Sequence, residues 1–130
     1  MYDTEEERRM TSTAGHHGPA PQIAVFTAAD GIRRPPAGPA ADVMVTMTSA
    51  DAKFETGFYQ VGAEHEEYLG AGYDNDEFCY ILIGSVVLTA ANGRVETIGP
   101  GDSVSIPRGW LGRWDSDGYT KLWVIYYTNR

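Results

Sequence analysis

Glu77, Lys121 and a set of aromatic residues are the side chains of this sequence that could do chemistry. Glu77 stands in a strand-like segment, where a two-residue period places it on one face with Cys79. Lys121 begins another such segment near the end of the chain. A carboxylate turned into a protein interior must be protonated, hydrogen-bonded or paired with a cation. The sequence leaves open whether Glu77 and Lys121 form a structural pair or an acid/base centre.

The aromatic residues are the second indication of a site, because Trp and Tyr give a pocket flat apolar walls with polar tips. We expect a substrate-binding wall, and a hydrogen-bond donor to the reaction in Tyr59. Core packing and dimer contacts are the competing explanation for most of these rings. The expected wall consists of Tyr73, Cys79, Trp110, Trp114 and Trp123. Cys79 itself is expected to be inert, because no histidine is placed to activate it as a nucleophile.

Short runs of aromatic and β-branched residues, separated by glycine, indicate strands on both sides of Gly84. Asn92-Gly93 predicts a two-residue type I′ hairpin, since that turn needs positive φ at both central residues. A second turn is predicted at Gly99-Pro100-Gly101-Asp102. The alternating segments 42–48 and 54–61 predict two further strands. We expect residues 42–48 and the apolar run 23–26 to add strands at a sheet edge or to pair with a second subunit.

The order of these elements resembles the cupin family. Glu77 and Gly84 have the spacing that ends the first cupin motif, and Gly101, Pro107 and Gly109 fit the second. The sequences of residues 76–82 and 106–110 are similar to those of small single-domain cupins of the EutQ and ureidoglycine aminohydrolase type. The resemblance covers about residues 54–127. It implies an all-β cupin jelly-roll β-barrel (double-stranded β-helix), with Glu77 turned inward and Lys121 as its counter-charge.

The sequence departs from the family at the metal ligands. The two histidines of the first motif would fall at Ala71 and Tyr73, or at Gly70 and Gly72, and the histidine of the second at Gly112. We therefore expect no metal cofactor. The alternative is Mn, Fe, Ni or Zn held by His65, Glu67 and Glu77, which are of the right ligand type. His65 lies twelve residues before Glu77, which is farther than the family spacing.

Composition limits the remaining classes. The chain of 130 residues has 42% hydrophobic content and a net charge of -8, which fits one domain and disfavours binding to nucleic acid or an anionic membrane. Apolar runs are strand-sized, so no membrane span is expected. The early acidic residues predict no secretory signal, and the single cysteine excludes an internal disulfide. Residues 1–22 are predicted to be a disordered tail and 23–130 one cupin domain, in a cytoplasmic homodimer.

The sequence supports three functions. The first is a metal-independent enzyme of isomerase, cyclase, lyase or hydrolase type, in which Glu77 moves a proton, Lys121 tunes it or holds an anionic group, and Tyr59 donates a hydrogen bond. The second is a non-catalytic module that binds a small molecule in the same pocket. The third is a metal-dependent cupin with unusual ligands.

Overall fold

The structure, a computed structural model, describes residues 21–25 and 41–130. Almost all of the predicted tail, residues 1–22, lies outside the described residues. Ile23 and Val25 are 88% and 71% exposed, and residues 21–25 form no strand, so the edge strand predicted there is absent from these residues, while pairing with a second subunit stays a prediction. No helix that could span a membrane occurs in the described part of the chain.

All regular elements among the described residues are β-strands, and all of their pairings are antiparallel. The seven strands are β1 (Ala41–Thr48), β2 (Phe54–Val61), β3 (Glu64–Tyr68), β4 (Asp76–Ala90), β5 (Val95–Ile98), β6 (Ser103–Ile106) and β7 (Gly112–Tyr126). The predicted all-β fold is confirmed. The edge strand expected at residues 42–48 is also confirmed, since β1 pairs with β2 at one end of the strand order.

Two long strands, β4 and β7, form the centre of the fold. They pair from Asp76 opposite Tyr126 to Ala90 opposite Gly112. β7 pairs with β2 through its second half and with β3 through its first half. In the same way, β4 pairs with β6 near its start and with β5 near its end. Each long strand therefore contributes to both halves of the jelly roll.

The bend in these strands corrects one prediction. The sequence suggested two strands divided by Gly84, but β4 continues through it. Gly84 has φ +77°, Gly118, which lies opposite the next residue Ser85, has φ +150°, and the register shifts between Ser85 and Val87. Glycine permits this bulged geometry without ending the strand, and the bulge bends the long pair from one half of the fold into the other.

The turns agree with the sequence in position, though one differs in type. The Ala90 N–H donates to the Arg94 carbonyl at 2.8 Å, which leaves a three-residue loop. Only Gly93 in that loop has positive φ, at 88°, so the predicted two-residue type I′ turn is wrong and a type I turn followed by a left-handed glycine is present. The second predicted turn is confirmed: the Asp102 N–H donates to the Gly99 carbonyl at 2.9 Å.

The interior of the jelly roll takes alternate residues of the long strands. In β4, Glu77, Cys79 and Ile81 are buried, whereas Phe78 and Tyr80 are 41% and 37% exposed. The predicted inward orientation of Glu77 and Cys79 is therefore confirmed. The most deeply buried side chains include Ile81, Val86 and Tyr119. The fold thus carries an ionisable residue, Glu77, into the interior beside a packed apolar core.

Candidate functional site

One interior cavity brings together most of the predicted site. It has a volume of about 280 Å³, close to the lower end of the roughly 300–1,000 Å³ usual for small-molecule sites. Its walls are mainly aromatic, and among the residues that line it are two carboxylates and one ammonium. They are Val43, Tyr59, Glu64, Tyr68, Tyr73, Glu77, Tyr119, Lys121, Trp123, Ile125 and Tyr127.

Glu77 and Lys121 form a buried ion pair at the wall of this cavity. Lys121 Nζ lies 2.6 Å from Glu77 Oε2, and the two side chains are 10% and 3% exposed. β4 carries Glu77 and β7 carries Lys121, and the antiparallel pairing of these strands brings the two side chains together. The counter-charge predicted for Glu77 is present.

Tyr73 completes the hydrogen bonding of Glu77. Its hydroxyl donates to Glu77 Oε1 at 2.7 Å. Two backbone hydrogen bonds hold Tyr73: its N–H donates to the Trp110 carbonyl at 2.9 Å, and its carbonyl accepts from the Gly109 N–H at 2.8 Å. Burial, and next the nearby Glu77, raise the pKa of Tyr73 well above its usual value. Tyr73 therefore remains a protonated donor.

Lys121 is surrounded by aromatic rings on its other sides. Its Nζ lies 4.8 Å from the centroid of the Trp114 ring, 5.6 Å from that of Tyr59 and 5.9 Å from that of Tyr119. Cation–π attraction to these ring faces helps to hold the ammonium in place. Lys121 is thus fixed in position by both charge and aromatic packing.

Glu64 is a member of the site that the sequence reasoning missed. The Tyr59 hydroxyl donates to its Oε2 at 2.6 Å, and the Tyr119 hydroxyl donates to its Oε1. Burial, together with Glu64, raises the pKa of both tyrosines above the usual range. Glu64 starts β3, whose two-residue period places it with Tyr68 on the cavity side. That period was the available signal, but no apolar alternation accompanies it.

Trp123 provides a flat wall where the sequence predicted one. It is 5% exposed and lines the cavity. Gly57 lies opposite it in β2, and a Cβ at Gly57 would stand 2.8 Å from Trp123 Cε2. The indole therefore occupies space that only a glycine leaves open. With Tyr59 and Tyr73 also at the cavity, three of the predicted aromatic residues meet there.

Three residues predicted to bind substrate do not line this cavity. Cys79 has no exposed surface, and burial raises its pKa to about 12. Trp114 is 3% exposed, in the core beside Lys121. Trp110 lines a different cavity of about 440 Å³, with Leu88 and Ile106. The residue types predicted aromatic walls, but which of these side chains reach the cavity depends on strand register and on depth in the fold.

The alternative metal ligands His65, Glu67 and Glu77 are not brought together. His65 and Glu67 are exposed on β3, on the face opposite Glu64, and His65 Nδ1 lies 2.7 Å from Asp115 Oδ1. Within residues 21–25 and 41–130, no group of three or more His, Cys, Asp and Glu side chains could hold a metal ion. That alternative set of ligands is wrong.

The position of the second-motif histidine also has no room for one. A Cβ at Gly112 would lie 2.5 Å from the Thr89 carbonyl oxygen and 2.5 Å from Trp110 Cζ2. At Glu77, the remaining family ligand, the Lys121 ammonium already supplies the positive charge. The described residues therefore do not fit a cupin metal centre of the usual composition.

The comparisons with known proteins agree with the fold. The family model of the EutQ-like cupin domain matches residues 70–121. A EutQ protein from Clostridium difficile is 16% identical, with 69% of this chain and 70% of that chain covered and a TM-score of 0.56. No curated protein sequence matches the chain. The resemblance to cupins, and to their EutQ-like branch, is confirmed.

Two other solved structures cover more of the chain. A Rhizobium leguminosarum protein of unknown function is 21% identical, with 82% of this chain and 98% of that chain covered and a TM-score of 0.60. The polyketide cyclase RemF from Streptomyces resistomycificus is 20% identical, with 81% and 80% covered and a TM-score of 0.57. At these identities the likeness shows the cupin jelly-roll fold and not a shared reaction.

Proposed function

We propose that this cupin-fold domain is an acid/base enzyme that acts on a small organic molecule without a metal. The observation that carries the proposal is the Glu77–Lys121 ion pair, buried at the wall of an aromatic cavity. Paired and desolvated ionisable groups in a cleft are frequent at active sites, although structural networks also contain them. The RemF cyclase supports a small-molecule reaction in this fold, and nothing about its substrate is transferred to this chain.

Each group has a role that follows from its contacts. Lys121 Nζ and the Tyr73 hydroxyl both contact the Glu77 carboxylate, so a proton can pass between Glu77 and a bound oxygen through either donor. Tyr59 provides a further phenol at the same cavity. Ring faces of Trp123 and the tyrosines line the cavity, and electrostatic interactions are stronger beside such apolar surfaces than in bulk water. Such a site serves isomerisation, cyclisation, elimination or hydrolysis.

Independence from metal is part of this proposal. The Lys121 ammonium supplies at Glu77 the positive charge that a metal ion would otherwise provide. Elemental analysis of the tag-free protein, before and after dialysis against a chelator, tests this point. We expect far less than one Mn, Fe, Ni or Zn per subunit. One tightly held ion per subunit would overturn the metal-independent mechanism.

A non-catalytic binding module is the second candidate. The observation in its favour is that each phenol bonded to Glu64 or Glu77 already has its acceptor, which suits a rigid pocket as well as a reactive one. The two functions differ in what Glu77→Gln does. In an enzyme it lowers turnover by about 100-fold or more with little change in binding, whereas in a module it changes affinity alone.

The experiment begins with a thermal-shift screen of wild type against small ketones, sugars, aromatics and carboxylates. Each compound that raises the melting temperature is then followed by proton NMR for conversion by wild type and Glu77→Gln. Conversion by wild type that Glu77→Gln abolishes supports the enzyme. Binding with no conversion of any ligand supports the module instead.

The homodimer and the cytoplasmic location remain predictions. Edge strand β1 presents Val43, Val45 and Met47, which are 56%, 50% and 42% exposed. Exposed apolar residues on a sheet edge favour pairing with a second copy. Light scattering on the purified full chain measures this directly, and a monomer at all concentrations would contradict the prediction.

A further inference from the structure

We infer that Glu64 is a second proton-transfer group, which removes a carbon-bound proton from a neutral carbonyl substrate while the Glu77–Lys121 pair serves the carbonyl oxygen. This inference rests on the proposed function and narrows it to proton abstraction beside a carbonyl. It adds a catalytic residue, a substrate class and a division of labour between the two carboxylates.

Glu64 and Glu77 are both cavity-lining carboxylates, but their partners differ. Glu77 is bonded to an ammonium and a phenol, whereas Glu64 is bonded to two phenols and to no cation among the described residues. The Glu77 carboxylate balances the charge of Lys121, whereas the Glu64 carboxylate contacts only neutral donors among the described residues. These partners leave Glu64 to act as the base toward the substrate, whereas Glu77 orients the Lys121 and Tyr73 donors.

The two carboxylates are close enough to share one small substrate. Tyr59 and Tyr119, which hold Glu64, have ring centroids 5.9 Å apart. Lys121 Nζ, which holds Glu77, lies within 6 Å of both centroids, at 5.6 Å and 5.9 Å. The Lys121 ammonium and the Glu64 carboxylate therefore lie near the same two rings, those of Tyr59 and Tyr119. Each of the two Glu64 oxygens accepts one phenol in the structure, which leaves further lone pairs for a substrate.

The proposed proton transfer needs only the substrate and the residues named above. The C–H bond beside the carbonyl breaks, its proton moves to the Glu64 carboxylate, and its electron pair forms the enolate. The developing negative charge on the carbonyl oxygen is stabilised by the Lys121 ammonium, which has N–H donors beyond the one that Glu77 accepts. The proton returns from Glu64 to the same or a different carbon, so no oxidant, reductant or cofactor is consumed. Burial raises the pKa of Tyr73, so its phenol stays protonated and continues to donate to Glu77.

Cavity charge and shape indicate the substrate class. Among the lining residues, Glu64 and Glu77 outnumber Lys121, whose charge Glu77 already balances. An anionic substrate would therefore meet uncompensated negative charge at Glu64. The walls include six tyrosine or tryptophan side chains around a volume of about 280 Å³: Tyr59, Tyr68, Tyr73, Tyr119, Trp123 and Tyr127. A neutral ring ketone with a removable adjacent proton fits these properties.

Hydrogen–deuterium exchange tests the inference without knowledge of the natural substrate. The probes are 1-indanone, 1-tetralone and 4-chromanone in D₂O, with exchange next to the carbonyl followed by proton NMR. We expect wild type to accelerate exchange above the buffer rate and Glu64→Gln to lower that acceleration by about 100-fold or more. Glu67→Gln is the matched control, since Glu67 is exposed on the opposite face of the same strand, outside the cavity wall, and the variant should exchange as wild type.

Binding is measured in parallel by thermal shift. The ketones should raise the melting temperature of wild type and Glu64→Gln alike, and indane-1-carboxylate should not. If Glu64→Gln does not fold, Glu64→Asp takes its place, because it keeps the charge but withdraws the oxygens from the substrate. Its exchange rate should fall by about tenfold or more while its melting temperature stays near that of wild type.

The outcomes separate this inference from the proposed function. Exchange that Glu77→Gln abolishes but Glu64→Gln leaves intact overturns the role of Glu64 and keeps the acid/base enzyme. Ketones that bind wild type without any faster exchange overturn the proton abstraction, and conversion of another ligand in the wider screen would still support the enzyme. Binding of the carboxylate in preference to the ketones overturns the neutral substrate class.

Discussion

Lys121 Nζ lies 2.6 Å from Glu77 Oε2, with only 10% and 3% of the two side chains exposed. A buried pair of this kind adds little net stability, because desolvation offsets most of the attraction. Removing one partner is different, since the other charge is then left alone in the interior. The pair is therefore a sensitive point for both stability and activity.

The first prediction compares the loss of one partner of the Glu77–Lys121 pair with the loss of both. Lys121→Met should lower the free energy of unfolding by about 3–5 kcal/mol, because Glu77 keeps its charge without a cation. The double variant Glu77→Gln/Lys121→Met should recover much of that loss, since the amide oxygen still accepts from Tyr73. Urea unfolding followed by tryptophan fluorescence measures both. A single variant as stable as wild type would show that Glu77 does not depend on Lys121.

The parts of the site that the sequence predicted depend on local pattern. The two-residue period placed Glu77 on one face with Cys79, and the resemblance to cupins implied that this face points inward and that Lys121 is the partner of Glu77. The jelly roll itself could be predicted because its turns carry glycine and proline at fixed spacing, as in Gly99-Pro100-Gly101-Asp102.

The parts that the sequence did not predict depend on register and depth. Glu64 was missed because β3 reads Glu-His-Glu-Glu-Tyr, so its inward face is polar and lacks the apolar signal of burial. Trp110 and Trp114 were expected in the pocket because their rings provide flat apolar walls, but their distance from the cavity depends on strand register. The loop at Asn92-Gly93 differs because pairing between β4 and β5 starts at Thr89 and Val95.

A second prediction concerns Gly112, where cupins usually carry a histidine. Gly112→Ala should lower the free energy of unfolding by about 1–3 kcal/mol, because its Cβ would stand 2.5 Å from the Thr89 carbonyl oxygen. Gly99→Ala is the control, because the nearest atom to its Cβ would be the Gly84 oxygen at 3.8 Å. The control should stay within about 0.5 kcal/mol of wild type. Equal effects in urea unfolding would contradict this steric explanation.

A third prediction concerns the reactivity of Cys79, the one cysteine of the chain. Burial raises its pKa to about 12, so the thiol is protonated at pH 8 and is also inaccessible. Native protein at pH 8 should react with a thiol reagent such as DTNB only on the timescale of unfolding, and denatured protein should react at once. Stoichiometric labelling within seconds in the native state would show that Cys79 is open to the cavity.

A fourth prediction concerns pH and Glu55, which is 9% exposed on the inward face of β2. Thr48 Oγ1 donates to Glu55 Oε2 at 2.8 Å, and this bond, followed by one from Tyr127, lowers the pKa of Glu55 below its ordinary value of 4.5. A lowered folded pKa means that the ionised carboxylate stabilises the fold above pH 4.5. That contribution is lost as the pH falls through the folded pKa.

Thr48→Val removes the hydroxyl and keeps the shape of the side chain. We expect it to lower the free energy of unfolding by about 1 kcal/mol at pH 7, with a smaller loss once Glu55 is protonated. Thr46→Val is the matched control. Thr46 lies on the same strand as Thr48, and its Oγ1 forms a hydrogen bond with Thr56 Oγ1 at 2.7 Å in which no carboxylate takes part. The decrease in the free energy of unfolding caused by Thr46→Val should not change with pH. Urea unfolding from pH 7 to pH 3 gives both curves, and parallel curves for the two variants would show that Thr48 does not act through the charge of Glu55.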